Sequence, residues 1–139
     1  MHVLVTGHNG YIGCVMVEVL RAAGHSIVGL DTGFFADCGN GQHDETAAIR
    51  KDIRDLTADD LGGVEAVVHL AALCNDPLGD LNPDWTIDIN QHASRRLAEL
   101  SKAAGVTRFL YASSCSMYGK AGEEMVDENA PLRALTPYA

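Results

Sequence analysis

Three glycines near the N-terminus have the spacing of a turn that binds phosphate groups. Gly7, Gly10 and Gly13 lie three positions apart, and an acidic residue, Asp31, follows about twenty residues on. In such a turn the glycines allow a tight bend, a close approach of the backbone to a pyrophosphate and close packing of the following helix. A carboxylate after the second strand accepts hydrogen bonds from an adenosine ribose and repels a phosphate there. The pattern therefore predicts a dinucleotide site that prefers NAD to NADP.

The predicted elements around these glycines are those that a dinucleotide site needs. Residues 2–6 are mostly apolar and predict a strand buried on both faces, and residues 26–30 predict a second strand that leads to Asp31. Between them, apolar residues at a spacing of three and four predict one helix face, and Gly24 is expected to end that helix. This face consists of Ile12, Val15, Met16, Val19, Leu20 and Ala23. The alternative is an ordinary strand-helix-strand unit, although packing alone does not require three glycines and the acid together.

Composition and charge limit the classes of protein to which the chain can belong. Its 139 residues are 47% hydrophobic, which suits one domain with a core, and the length leaves no room for a second domain. The net charge of -9 is spread without a long run of either sign, so we expect no binding to nucleic acid or to a membrane surface. There is no long apolar run, and the chain begins with a strand rather than a signal peptide, which predicts a cytoplasmic protein.

The cysteines and histidines do not have the spacing of a metal site. Cys115 has no basic neighbour in the sequence, so a buried and inert thiol is expected there. His69 lies within an apolar run, where a packed core residue is commoner than a ligand. The cysteines are isolated from one another, which predicts reduced thiols rather than disulfides or zinc ligands; they are Cys14, Cys38, Cys74 and Cys115.

The rest of the chain predicts three more strands and one long helix. The strands are expected at residues 47–51, 65–70 and 107–111, which gives a five-stranded, doubly wound parallel sheet of the α/β class. Thr57 is expected to cap a short helix. Residues 75–83 contain two prolines and predict a loop, and the long helix that follows is expected to end at Gly105. The predicted core face of this helix is Ile89, Ala93, Leu97, Leu100 and Ala104.

Some residues in these segments have two interpretations. Asn90 lies among the core positions of the long helix, where it is either a structural tie or part of the site. Phe34 and Phe35 follow the second strand and either flank an adenine or pack on the core, and packing is the commoner outcome for aromatic residues. Ser113 and Ser114 follow the fifth strand, at the sheet edge where ligands bind, although serines are also common in loops.

Taken together, these stretches resemble the N-terminal part of extended short-chain dehydrogenase/reductases, the NAD-dependent nucleotide-sugar epimerase/dehydratase family. The matching residues run through the whole chain in order: 6–13, 31, 52, 69–72, 90, 113–119 and 137–138. The resemblance implies a Rossmann-like sheet with the strand order 3-2-1-4-5. It also implies that residues 1–139 are an incomplete NAD-binding domain, truncated before the last strands and the C-terminal region that binds the substrate.

The resemblance further implies which residues form the site. Tyr138 would be the base that takes a proton from a sugar hydroxyl, and Ser114, four residues before Tyr118, would hydrogen-bond the same oxygen. Because the pKa of free tyrosine is about 10, such a base needs positive charge beside it, which the family takes from the nicotinamide ring and from a lysine four residues after the tyrosine. The chain stops before that lysine, so we expect no turnover by these 139 residues. The implied cofactor residues are Gly7, Gly10, Tyr11, Ile12, Gly13, Asp31, Asp52, Ile53, Leu70, Ala71, Ala72, Asn90 and Ser113.

Two residues near Ser114 bear on the type of reaction. Cys115 and Ser116 stand where related 4,6-dehydratases have an Asp-Glu pair, and neither ionises usefully for eliminating water. This favours an NAD-dependent 4-epimerase or reductase acting on a nucleotide sugar. The alternative is a non-catalytic NAD-binding module, against which the presence of both Ser114 and Tyr138 argues. An apolar surface beside the fifth strand and the long helix is expected to lead to a homodimer or other self-association.

Overall fold

The computed structural model describes residues 1–36, 47–120 and 125–139, and its centre is a five-stranded parallel sheet. The order of the strands is β3-β2-β1-β4-β5, so the predicted order 3-2-1-4-5 is confirmed. Cys38 and most of the segment after the second strand lie outside the described residues. The strands are β1 (His2–Thr6), β2 (Ser26–Asp31), β3 (Ala47–Arg50), β4 (Ala66–His69) and β5 (Arg108–Tyr111).

The sheet has an apolar core on each face, as expected for parallel strands that are covered on both sides. Successive residues of β1 point to opposite faces, so Leu4 belongs to one core and Val3 and Val5 to the other. The first core also contains Leu30, Leu56, Leu61, Val67 and Leu97. The second contains Val17, Ile27, Ala66 and Val68. This continuous apolar run in β1 is why the central strand could be recognised from the sequence.

The first helix, α1 (Tyr11–Ala22), forms where it was predicted but turns a different face to the sheet. Its buried residues are Gly13 and Val17, and Met16 and Leu20 pack beside them. The prediction of one continuous apolar stripe was therefore wrong, because Ile12, Val15 and Val19 are each more than half exposed. Gly13 determines how α1 is rotated about its own axis, because it packs directly against the turn before the helix. The helix face that contains Gly13 must therefore meet the sheet. The helix ends two residues before Gly24, whose φ of +82° turns the chain away from the helix, as predicted.

Residues 75–83 are not a loop, and the structure corrects that prediction. They form a short helix, α2 (Asp76–Leu81), followed by one further turn, α3 (Pro83–Thr86). The side chains of Asn75 and Asn82 cap the two helices, accepting hydrogen bonds from the N–H groups of Leu78 and Asp84. The prolines stand in the first turn of each helix, where a missing N–H costs nothing.

The predicted long helix is a composite. It continues from α3 through a π-helical segment, Ile87–Ala93, into α4 (Ser94–Ala103). Ala93 and Leu97 are buried in the core and Ile89 and Leu100 pack against it, which confirms most of the predicted core face, whereas Ala104 is exposed. The helix ends two residues before Gly105, whose φ of +80° turns the chain away from the helix, as predicted. None of the helices in the described residues is long and apolar enough to cross a membrane.

The fifth strand lies at an edge of the sheet with its apolar side chains open to solvent. Leu110 and Tyr111 are each more than half exposed, and Phe109 is 37% exposed. The predicted apolar surface beside the fifth strand is therefore present. Self-association through it remains a prediction.

Candidate dinucleotide-binding and active site

The turn between β1 and α1 is held by backbone hydrogen bonds and by close backbone contacts at its glycines. Gly7 has a φ of +72°, its N–H donates to the Leu30 carbonyl oxygen at 2.7 Å, and its own carbonyl accepts the N–H of Gly10 at 3.0 Å. A Cβ at Gly7 would lie 2.8 Å from the Ala71 nitrogen, and a Cβ at Gly13 would overlap the Gly7 carbonyl oxygen. Gly10 caps α1 without a side chain, so the first N–H groups of the helix are left for a ligand. Tyr11 and Ile12 stand exposed beside them.

Asp31 is fixed at the C-terminal end of β2 by the backbone around it. Its carboxylate accepts hydrogen bonds from the N–H groups of Gly33 at 2.8 Å and Asn9 at 3.2 Å, so it faces the glycine turn. It lines a depression of about 200 Å³ together with His8, Gly33 and Arg50. The carboxylate is therefore held beside the glycine turn, while a ribose contact for it remains a prediction. Phe34 and Phe35 are 79% and 73% exposed, so the expectation that they pack on the core was wrong.

A contact between His8 and Gly29 supports this turn, and it was missed from the sequence. The imidazole of His8 is 4% exposed and lies against the Cα of Gly29, where a Cβ would come within 2.5 Å of ring atoms Cδ2 and Nδ1. Nδ1 is fully enclosed and has no hydrogen-bond partner in the described part of the chain. A glycine inside a strand often marks a close approach of this kind, but it does not tell which residue approaches.

The Gly29→Ala substitution is expected to cost about 1–3 kcal/mol, because its methyl group collides with the His8 ring inside a packed core. The same substitution in a His8→Ala background is expected to cost almost nothing, because the space is then free. Urea unfolding of the two single variants and the double variant measures this coupling. Gly62→Ala is the control, since a Cβ there meets only an ordinary contact at 3.4 Å. An equal cost of Gly29→Ala in both backgrounds would show that the His8 ring is not the obstacle.

A buried hydrogen-bonded chain holds the ends of β1 and β4 together. Thr6 Oγ1 accepts the N–H groups of Leu70 and Ala71, both at 3.3 Å, and its hydroxyl is then left to donate to Nδ1 of His69 at 2.6 Å. Nδ1 therefore carries no proton, and Nε2 donates to Ser94 Oγ at 2.7 Å. Burial lowers the pKa of His69 to about 4, so the ring is neutral at physiological pH. The prediction that His69 is a packed core residue is confirmed.

Asn90 ties the segment after β4 to the π-helical segment. Its Oδ1 accepts the N–H of Leu73 at 2.8 Å and its Nδ2 donates to the Leu73 carbonyl oxygen at 2.9 Å. Of the two interpretations of Asn90, the structural tie is what these contacts show; a contact with a cofactor remains a prediction. Residues 70–72 lie between the contacts with Thr6 and Asn90 and pass close to the turn at Gly7. Leu70 and Ala71 are half-buried, and Ala72 is exposed.

Asp52 lies after β3 and is held by an arginine that the sequence did not single out. Its carboxylate accepts the N–H of Arg54 at 2.9 Å and the guanidinium through Nε at 3.1 Å and Nη2 at 2.9 Å. These hydrogen bonds from Arg54 lower the pKa of Asp52, against an opposing effect of burial. The same guanidinium reaches Asp88 at 3.1 Å, and Ile53 beside it is buried. Asp52 and Ile53 are thus rigidly placed, while an adenine contact for them remains a prediction.

The serines after β5 lie in a second depression, of about 310 Å³. Ser114 Oγ accepts the N–H of Ser116 at 3.2 Å and its hydroxyl at 2.8 Å, so the hydroxyl proton of Ser114 is left to donate to a ligand. Cys115 also lines the depression and is exposed, so the expected buried thiol was wrong. Other lining residues are Ser113, Met117, Tyr118, Val126, Asp127 and Glu128.

Tyr138 is half-buried in the C-terminal segment and does not line this depression. The segment is attached to the serine loop by the Arg133 N–H, which donates to the Met117 carbonyl oxygen at 2.9 Å. Gly119, with a φ of +67°, passes so close to the Arg133 carbonyl that no side chain would fit there. The structure thus brings Ser113 and Ser114 together in one depression but leaves Tyr138 outside it.

The sheet, the glycine turn and the serine loop all lie within the part of the chain that matches a known family. A model of the NAD dependent epimerase/dehydratase family matches residues 3–139. The chain belongs to this family. The resemblance identified in the sequence is therefore confirmed, and NAD, the predicted cofactor, is the cofactor of the family.

Known members of the family show how much of a typical chain is present. UDP-glucose 4-epimerase of Mycolicibacterium smegmatis is 33% identical over 150 residues, which cover 100% of this chain and 47% of that protein. The structure of MoeE5 in complex with UDP-glucose and NAD is 33% identical, with a TM-score of 0.86 over 99% of this chain and 44% of that one. UDP-glucose-4-epimerase from Stenotrophomonas maltophila, with bound NAD and formylated UDP-arabinopyranose, is 31% identical, with a TM-score of 0.87 and the same coverages. The chain spans about half the length of these relatives.

The residues present fit the cofactor of the family. The glycine turn offers backbone with no side chain in the way, and the uncapped start of α1 supplies N–H groups for a pyrophosphate. Asp31 is already oriented by two backbone N–H groups beside that turn. Gly7 packs against Ala71, so the segment anchored by Thr6 and Asn90 borders the same place.

Proposed function

We propose that this chain is the NAD-binding half of a nucleotide-sugar 4-epimerase or reductase. The observation that carries the proposal is the state of Ser114, whose oxygen has accepted two hydrogen bonds and whose proton is left to donate into the depression after β5. A donor in that position suits the oxygen of a sugar hydroxyl that is being oxidised or of a ketone that is being reduced. UDP-glucose 4-epimerase of Mycolicibacterium smegmatis and MoeE5 with UDP-glucose and NAD support a nucleotide sugar as the substrate.

In the proposed mechanism, the residues of this chain bind, orient and move protons. When NAD is bound, its nicotinamide supplies the acceptor for a hydride. The turn at Gly7 and the N-terminus of α1 hold the pyrophosphate, and Asp31 holds the adenosine ribose. Ser114 hydrogen-bonds the reacting sugar oxygen, and Tyr138 takes the proton from it. The Tyr138 phenol must lose its proton to act as a base, and neighbouring positive charge favours that loss.

Residues 115 and 116 favour redox chemistry at one carbon over elimination of water. Cys115 is an exposed thiol and Ser116 is a hydroxyl that already donates to Ser114, so neither supplies a carboxylate acid or base to the depression. Asp127 and Glu128 lie across it, on a separate segment. An epimerase needs only reversible removal and return of a hydride and a proton, which Ser114, Tyr138 and NAD together provide.

The experiment combines cofactor binding with sugar turnover. Calorimetric titration of the 139-residue chain is expected to show NAD binding, while chromatography after incubation with NAD and UDP-glucose is expected to show no epimer. In a family-length polypeptide that contains these residues, UDP-galactose is expected to form, and Ser114→Ala should lower kcat about 100-fold or more. Ser116→Ala is the matched variant and should lower it less, since Ser114 keeps its donor. A 4-keto-6-deoxy product, or no NAD binding, would contradict the proposal.

A non-catalytic NAD-binding module is the second candidate function. The position of Tyr138 favours it, because the phenol does not line the depression that Ser114 faces. The two candidates differ in one result. A family-length polypeptide that binds NAD but leaves nucleotide sugars unchanged, with Ser114→Ala binding NAD as well as the wild type, would favour the module.

A further inference from the structure

Arg50 stands beside Asp31 at the same end of the sheet. The two residues are paired in register between β2 and β3, so their side chains leave the same face of the sheet. The guanidinium lies over Gly33, where a Cβ would be 3.3 Å from Nε and 3.6 Å from Cζ. Both residues line the depression of about 200 Å³ that was described for the ribose. A carboxylate and a guanidinium thus share one small site.

These opposite charges do not neutralise each other. The carboxylate of Asp31 faces the backbone N–H groups of Asn9 and Gly33, and no ion pair joins it to Arg50. Within the described ranges, the only hydrogen bond of the guanidinium is a long one, from Nε to the Thr32 carbonyl oxygen at 3.3 Å. Among the described residues, neither Nη group of Arg50 has a hydrogen-bond partner. A planar guanidinium with free Nη groups is well suited to a phosphate, which it binds through two parallel hydrogen bonds.

We propose that Arg50 is already placed to pair with a 2′-phosphate at the adenosine site, and that the Asp31 carboxylate is what prevents this contact in the wild type. The proposal rests on the proposed function, in which this depression takes the adenosine end of a dinucleotide. A ribose held by Asp31 has Arg50 within side-chain reach on the neighbouring strand. In the wild type the Asp31 carboxylate repels the added phosphate, and this repulsion outweighs the attraction by Arg50. Removal of one negative charge should therefore open the site to NADP without a new cation.

Calorimetric titration of the 139-residue chain with NADP tests this inference. Asp31→Asn is expected to tighten NADP binding by about tenfold or more, because a charge-assisted phosphate contact is gained and a repulsion is lost. NAD binding should weaken in the same variant, because the amide is a poorer acceptor for the ribose hydroxyls. Arg50→Met in the Asp31→Asn background should remove the gain, and Arg50→Lys should keep only part of it, since it preserves the charge but not the planar fork. No gain in Asp31→Asn, or a gain that survives Arg50→Met, would overturn the proposal.

A second probe separates this proposal from the proposed function. Titrations with 2′,5′-ADP and with 5′-AMP compare ligands that differ in the 2′-phosphate and lack the nicotinamide. The ratio of their affinities should rise in Asp31→Asn and fall back in the double variant, and a ratio that stays the same in all three proteins would overturn the role of Arg50. NAD binding by the wild type reports separately on the proposed function. Asp31→Ser provides the same test if circular dichroism shows that Asp31→Asn does not fold.

Discussion

The Gly13→Ala substitution is expected to destabilise the fold by at least about 3 kcal/mol and to abolish dinucleotide binding. The new Cβ would overlap the Gly7 carbonyl oxygen and would lie 2.7 Å from the His8 Cα, and both neighbours are backbone. A backbone contact cannot be relieved by a change of rotamer, so α1 would have to move away from the turn. Alanine in place of glycine favours a helix by only about 1 kcal/mol, which does not offset that displacement. Urea unfolding and calorimetric titration with NAD measure the two losses.

Two other glycines make this result specific. A Cβ at Gly10 would lie 3.2 Å from the Gly7 carbonyl oxygen, and the φ of Gly10 is -76°, so Gly10→Ala should fold and lose mainly affinity for the pyrophosphate. Gly62→Ala, far from the turn, should change neither stability nor binding by much. If the free energy of unfolding of Gly13→Ala lies within about 1 kcal/mol of the wild-type value, α1 is not held by close contact with the turn. Gly13 would then not explain which face of α1 meets the sheet.

The parts of the fold that were predictable from the sequence depend on local patterns. β1, β2 and β4 are short apolar runs, and each reads as a strand because buried parallel strands are apolar on both faces. The ends of two helices were marked by Gly24 and Gly105, which adopt positive φ. The glycine turn and Asp31 were recognised because the spacing along the chain directly reflects the spacing in the site.

Other features depend on contacts between distant residues, which no local pattern contains. The face that α1 buries was wrongly predicted because its apolar residues cover more than one face, and the contact of Gly13 with Gly7 selects between them. The helix within residues 75–83 was missed because asparagine and proline mark both loops and helix starts. In each case the sequence supplied the residue type, and the tertiary contact supplied its role.

The candidate site shows the same division. Ser114 was predicted from its place after β5, but its role as a donor follows only from the two hydrogen bonds that it accepts. Arg54 and Arg50 were not singled out, because their importance lies in the carboxylates beside them, one on the same turn and one on a neighbouring strand. The tie between Asn90 and Leu73 needs the π-helical segment to lie beside the segment that follows β4, which the sequence does not reveal.

Acidification from pH 6.5 to pH 4 is expected to lower the free energy of unfolding by about 3 kcal/mol through His69 alone. The pKa of this histidine is lowered by burial from 6.5 to about 4. In the unfolded chain the ring takes up a proton below pH 6.5, whereas the folded protein excludes that proton until pH 4. Stability is therefore complete above pH 6.5, falls as the pH decreases through this range, and reaches its lower level near pH 4.

The hydrogen-bonded chain gives a structural reason for the excluded proton. Nδ1 of His69 must accept from the Thr6 hydroxyl, because Thr6 Oγ1 already accepts from Leu70 and Ala71. A proton on Nδ1 would leave two donors facing each other at 2.6 Å in a site with 1% exposure. Protonation of Nδ1 therefore breaks the hydrogen bond from Thr6 to His69, which helps to hold the ends of β1 and β4 together.

Urea unfolding at intervals of pH measures this dependence. His69→Phe should be less stable at pH 7, since it leaves two hydroxyls without their partner, and its stability should change little between pH 6.5 and pH 4. His92→Gln, at an exposed position, is the control and should keep the wild-type slope. The pKa values of Asp52 and Asp60 are lowered in the folded protein, so most of the stability that these carboxylates contribute is lost below the range in which His69 titrates. A wild-type slope in His69→Phe would mean that the proton enters elsewhere and that the Thr6–His69–Ser94 chain tolerates acid.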